Sequence, residues 1–121
     1  MIDSNIYKID KSSNLDVSRE TLKDLEEYSN SIILKNKTIN LISKSTEKSI
    51  KQRHIDDSAQ TIEFIDKKDI KVCTDLGSGA GLPGIVLGIL MKPKNPIFKV
   101  IFYEKSYHKY ASVLLIFQLI Y

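Results

Sequence analysis

Thr74 to Leu90 reads TDLGSGAGLPGIVLGIL, and all five glycines of this 121-residue chain fall between Gly77 and Gly88. A strand that runs into a glycine-rich turn and then a helix can hold an anionic or nucleotide-like ligand. The glycines let the backbone turn sharply and come close, and the helix N-terminus offers free N–H groups. A P-loop needs Lys and then Ser or Thr after its last glycine; Ile85 and Val86 follow Gly84 here, which excludes it. A dinucleotide fingerprint begun at Gly77 fails at its sixth position, Leu82. Shifted to Gly79, Gly81 and Gly84 it matches, but it then starts late relative to the strand and encloses Pro83, which leaves a nicotinamide dinucleotide as a lesser alternative.

The pattern Asp75-x-Gly77-x-Gly79-x-Gly81 fits without adjustment. An acid at a strand end followed by G-x-G-x-G is typical of methyltransferases that use S-adenosylmethionine. A second acid, Glu104, closes the next apolar run, IFKVIFYE, where a carboxylate can accept both hydroxyls of a ribose. Dinucleotide enzymes place an acid there too, so Glu104 speaks for a nucleoside and does not choose between the two.

The elements that must position these groups follow from periodicity. SRETLKDLEEYSNSIILKN sets Leu22, Leu25, Tyr28, Ile32 and Ile33 on one side of an amphipathic helix capped by Ser18. Residues 1–15 are expected to be frayed or loosely docked. Shorter helical pieces follow, one capped by Ser45 or Thr46, and the last has an apolar stripe of Ile55, Ala59, Ile62 and Ile65. At Ile70 the period changes: IKVCTDL reads as a strand, PGIVLGILMK as a helix with Pro83 in its first turn, Ile97–Tyr103 as a second strand, and SYHKYASVLLIFQLIY as a second helix. The fold class is α/β. A helical segment, 1–69, precedes a β-α-β-α segment, 70–121, whose strands should run parallel with a right-handed crossover. With only two strands, side chains such as Val100 and Phe102 are expected to lack a complete helix layer.

Composition bounds the rest. Hydrophobic residues make up 42% of the chain, which suits one folded domain or part of one. The formal net charge of +3 permits a polyanionic partner without requiring one. Charge is uneven along the chain: residues 1–69 carry 12 basic and 13 acidic side chains, residues 70–121 carry 6 and 2. Lys35, Lys37, Lys44, Lys48, Lys51 and Arg53 face a single acid, Glu47, within one stretch; such a run is either a solvated face or a set of phosphate contacts. The lone Cys73 rules out an intrachain disulfide and a cysteine-based metal site, and reads as an inert thiol in a strand; no metal is expected. No run approaches the roughly 20 apolar residues of a membrane helix and the N-terminus has no signal-peptide core, so a soluble cytoplasmic protein without a membrane partner is expected.

Two motifs together resemble one family, the bacterial 16S ribosomal RNA guanine-N7 methyltransferases, also called glucose-inhibited division protein B. DLGSGAGLPGIVL, Asp75 to Leu87, looks like its cofactor loop, with Leu82-Pro83-Gly84-Ile85 the most specific part. NLISKSTEKSIKQRHIDDS, Asn40 to Ser58, is similar to its upstream signature and implies that Arg53, His54, Asp57 and Ser58 lie near the active cleft. The resemblance implies a Rossmann-like S-adenosylmethionine-dependent sheet. Asp75, Gly77, Gly79, Gly81, Leu82 and Glu104 would bind the cofactor, the Lys35–Arg53 cations would bind RNA, and the partner would be 16S ribosomal RNA or the 30S subunit. It assigns no acid–base catalyst. The chain departs from the family in two ways: it ends after what would be the second strand and helix, and Tyr110–Tyr121 carries no charge where the family has an amphipathic helix. An incomplete sheet is therefore expected, and an inactive remnant without a complete pocket is the alternative to an active enzyme.

Overall fold

A computed structural model describes residues 6–9, 15–65, 71–76, 79–109 and 111. Ile70 at the expected strand start, Gly77 of the expected loop, and the tail Tyr110–Tyr121 apart from position 111 lie outside the described residues.

Within the stretch 1–15, expected to be frayed or loosely docked, residues 6–8 form a strand. Strand β1, Ile6–Lys8, pairs antiparallel with β2, Asp16–Ser18, with Tyr7 opposite Val17 and Lys8 opposite Asp16. Val17 in β2 and Ile9, just after β1, are buried, which ties this ribbon to the core. Ser18 then serves twice. It ends β2 and, at φ −70° and ψ 162°, caps helix α1, Arg19–Lys35, its hydroxyl accepting from Thr21 N at 3.2 Å. This cap and the buried stripe Leu25, Tyr28 and Ile32 are as the periodicity predicts.

Helix α1 ends at Asn36, which is 4% exposed. Its Oδ1 accepts from Leu41 N at 2.8 Å and from Ile42 N at 3.0 Å, and its Nδ2 donates to Glu47 Oε1 at 2.6 Å. One side chain thus ties the helix end to residues 41, 42 and 47, alongside the backbone turn bonds of Thr38 N and Ile39 N to Lys35 O. The following 3-10 segment, Lys44–Ser49, begins after Ser43, not after Ser45 or Thr46. Ser43 O accepts from Thr46 N at 3.1 Å, directly after the residues held by the Asn36 side chain. A π-helical stretch, Lys51–Asp56, leads into helix α2, Asp57–Ala59, and then α3, Ile62–Ile65; Ile55, Ala59, Ile62 and Ile65 are all buried, as expected.

Strand β3, Val72–Leu76, runs parallel to β4, Lys99–Tyr103, with helix α4, Gly84–Met91, between them in sequence. The helix starts one residue after Pro83, and the second strand starts at Lys99 instead of Ile97. Seven of the eight α4 residues are buried, because α1 and α2 pack on one side of the helix and β3 and β4 on the other. Cys73, Asp75, Val100 and Phe102 point to the α4 side. Val72, Thr74 and Leu76 on β3, and Lys99, Ile101 and Tyr103 on β4, face solvent. Helix α4 packs on Val100 and Phe102 but leaves both only partly buried, with Val100 lining an open cavity beside the helix, and the opposite sheet face carries the exposed Val72, Leu76, Ile101 and Tyr103.

Replacing Asn36 by Ala should destabilise the fold by about 1–3 kcal/mol, since the buried Ile42 N–H loses its acceptor while Leu41 N keeps its bond to Ile39 O. Asn36→Asp keeps that acceptor but sets a second carboxylate against Glu47, so it should fall between wild type and Ala. Urea denaturation measures both, and an Ala variant as stable as wild type would remove Asn36 from this role.

Candidate nucleoside-binding site

The described part of the glycine turn has three backbone ties, each to a different element. Gly79 N donates to Glu104 Oε2 at 2.6 Å, beyond the end of β4. Ala80 O accepts from the Tyr28 hydroxyl of α1 at 2.8 Å. Gly81 O accepts from Ile85 N in the first turn of α4 at 2.7 Å. Gly79 and Gly81 have φ of 54° and 91°, a region that only glycine enters at little cost.

Gly84 is glycine for another reason. A Cβ there would stand 2.5 Å from Phe102 Cε1 and 2.9 Å from both Asp75 Oδ2 and Val100 Cγ1. The start of α4 lies directly on the strands, and only a hydrogen fits. This close approach lets Asp75 Oδ2 accept from Gly84 N at 3.0 Å, so the buried carboxylate caps α4.

The two acids of the site sit in opposite surroundings. Burial pushes the Asp75 carboxyl above its ordinary range; the Gly84 N–H pulls it back, and the charge of Glu104 adds to the rise. Glu104 is held below the ordinary range by the N–H of Ser106 and then by that of Gly79. Ser106 N donates to its other oxygen, Oε1, at 3.1 Å. An ionised carboxylate has about four acceptor positions, more than the backbone N–H groups on partly exposed Glu104 fill, which leaves it able to accept from a ligand's hydroxyl. Leu82, also named by the sequence, is partly buried and packs against the core. Burial raises the Cys73 thiol, with Asp75 adding to it, which keeps that sulfur protonated and inert.

The upstream signature divides by burial. Arg53 and Asp57 are exposed, while His54 and Ser58 are half-buried. His54 Nε2 lies 2.9 Å from Thr46 Oγ1, which pins the π-helical stretch to the 3-10 segment. Burial lowers the His54 pKa, opposed by Asp57 and assisted by Arg53. Asp56, which the sequence reading passed over, is 5% exposed with Oδ1 lacking any hydrogen-bond partner. Among the cations, Lys37, Lys44, Lys48, Lys51 and Arg53 are exposed and Lys35 partly so; Lys51 pairs with Glu26 at 3.4 Å. Sequence reasoning missed Tyr28 and Asn36 as site-building residues: it saw Tyr28 only as part of an apolar stripe, and no local pattern marks an asparagine at a helix end as a clamp. No group of three or more His, Cys, Asp or Glu among the described residues could hold a metal. No described helix is long and apolar enough to cross a membrane.

Gly84→Ala should cost about 1–3 kcal/mol, the usual range for overpacking, with partial recovery when Phe102→Leu is added. Urea midpoints report this, and an unchanged midpoint for Gly84→Ala would contradict the close approach. His54 yields a pH prediction. Its folded pKa lies below the unfolded value near 6.5, so the unfolded chain takes up the proton first as pH falls. Its stability contribution is therefore complete above about pH 6.5 and is lost as pH drops through the lower folded value. Wild-type stability should fall more than that of His54→Gln between pH 7 and 5; parallel profiles would exclude it.

A family model described as rRNA small subunit methyltransferase G matches residues 21–111. Curated relatives bear the name ribosomal RNA small subunit methyltransferase G. That of Pelagibacter ubique is 46% identical over 98 residues, covering 79% of this chain and 46% of the relative. That of Orientia tsutsugamushi strain Ikeda is 44% identical over 106 residues, covering 88% and 50%. That of Rickettsia rickettsii strain Sheila Smith is 49% identical over 75 residues, covering 62% and 39%. The chain spans about half the length of the curated relatives it matches. With the matched region running from α1 through the glycine turn and β4 to the residues beyond it, this chain belongs to the rRNA small subunit methyltransferase G family.

Proposed function

We propose that this chain carries the cofactor-loop part of a Rossmann-like S-adenosylmethionine-dependent enzyme that methylates N7 of a guanine in 16S ribosomal RNA, in the cytoplasm. The observation that carries the reading is the meeting of Glu104 with Gly79 at the ends of two parallel strands. An ionised carboxylate with spare acceptor positions stands beside backbone that carries no side chain. This donor set fits a nucleoside. Glu104 would hold the ribose, and Gly79, Gly81 and Leu82, with Gly77, would border the methionyl end; Asp75 would support the site by capping α4.

When bound, the cofactor supplies an electrophilic methyl group on a sulfonium. Guanine N7 has an in-plane lone pair, so no side chain needs to remove a proton from it. The protein's contribution is alignment and exclusion of water. Arg53, His54, Asp57 and Ser58 would then border the cleft as positioning groups, and Lys35, Lys37, Lys44, Lys48, Lys51 and Arg53 would neutralise RNA phosphates. A second reading, a remnant without a complete pocket, is favoured by the uncovered sheet face of Val72, Leu76, Ile101 and Tyr103, since parallel sheets normally have both faces covered.

Calorimetric titration of the 121-residue chain with S-adenosylmethionine and its 2′,3′-dideoxy analogue tests the proposal. The intact ribose should bind about 10- to 100-fold more tightly, the scale of hydrogen bonds to a charged group. Glu104→Ala should erase that preference and Glu104→Gln should reduce it. Equal affinity for the two ligands in wild type would overturn the role of Glu104. No binding of either by a cooperatively folded chain would support the remnant.

A further inference from the structure

Tyr28 is 0% exposed, and its ring lies within the α1 stripe that packs on α4. Its hydroxyl is spent on one partner, the carbonyl of Ala80, 52 residues away. A carbonyl only accepts, so the phenol must donate, and the bond's polarity is fixed. Ala80 is itself 3% exposed, between the two left-handed glycines. A Cβ on the next residue, Gly81, would come within 3.5 Å of Tyr28 Oη and 2.5 Å of Ile85 Cδ1. The turn is therefore seated on the tip of the Tyr28 ring and the side of Ile85.

We propose that Tyr28 is the positioning residue of the cofactor loop: its buried hydroxyl, donating to Ala80 O, fixes the height and orientation of the Gly79–Gly81 backbone toward the ligand. Glu104 holds the same turn from the strand side through Gly79 N, so the loop is clamped from two elements that do not adjoin in sequence. Burial, and next the charge of Asp75, hold the phenol far above its ordinary range, so it remains a donor throughout the physiological interval. The proposal rests on reading the turn as a cofactor loop, and the experiment separates the two claims.

Residue-resolved amide exchange by NMR on wild type and Tyr28→Phe is the test, with S-adenosylhomocysteine titrated into both. Phe keeps the packing and removes the donor. Exchange at Gly79, Ala80 and Gly81 should rise about tenfold more than in the interior of α4, the scale of one lost hydrogen bond, and ligand affinity should fall by a similar factor. A uniform rise across α1 and α4 would mean that Tyr28 only stabilises the core, and would overturn the proposal. So would unchanged loop exchange. If wild type binds no S-adenosylhomocysteine, the cofactor reading fails, while the exchange data still decide whether Tyr28 holds the loop. Should Tyr28→Phe not fold, wild type suffices: a slowly exchanging Tyr28 hydroxyl proton with a contact to Ala80 supports the bond, and a rapidly exchanging one refutes it.

Discussion

An eight-residue helix without a polar side chain, Gly84–Met91, has to be covered on every side, and most of the described structure is arranged to do this. Helices α1 and α2 take one flank, and the two parallel strands take the other. Once α4 is enclosed, its N-terminus can lie only at the ends of β3 and β4, where the glycine turn must deliver the chain. The closeness of that contact, with no room for a Cβ at Gly84, sets Asp75 of β3 under the helix start, near enough to Glu104 just past β4 to feel its charge. The candidate site is thus a by-product of enclosing an apolar rod.

Those two acids divide the electrostatics. Asp75 lies inside, is neutralised in part by a helix N-terminus, and serves the scaffold. Glu104 lies at the mouth, is kept ionised by backbone N–H groups, those of Ser106 and Gly79 first, and still has acceptor capacity to offer. The same chemical group, a carboxylate, acts as a beam where it is buried and as a hook where backbone N–H groups hold it at the mouth.

Much of this was legible in the chain itself. Ser18 as a cap, the stripe through Tyr28, and the strand-turn-helix around the glycines all follow from local spacing, because local spacing is what decides them. The division of labour among the glycines was not legible. Gly79 and Gly81 are required by backbone angle and Gly84 by a neighbour 18 residues away, and the letters are identical. The ribbon of Ile6–Lys8 with Asp16–Ser18 escaped because three-residue strands carry too little periodicity. Asn36 and the Tyr28 hydroxyl escaped because their partners are set by tertiary packing. The cleft signature around His54 was legible only by resemblance; its burial pattern, with Asp56 turned inward and Arg53 outward, needed the structure.

Helix α1 has a further consequence. Tyr28 holds the glycine turn and Asn36 holds the segment that carries most of the exposed cations; the first lies within one unbroken helix and the second caps its C-terminal end. Eight residues at about 1.5 Å each set them about 12 Å apart along its axis. That makes α1 a measuring rod. The solvent side of the rod can change its letters freely, but one inserted residue would swing Asn36 by about 100° relative to Tyr28 and break one grip or the other. Drift in spelling is tolerated between these two points, and drift in length is not.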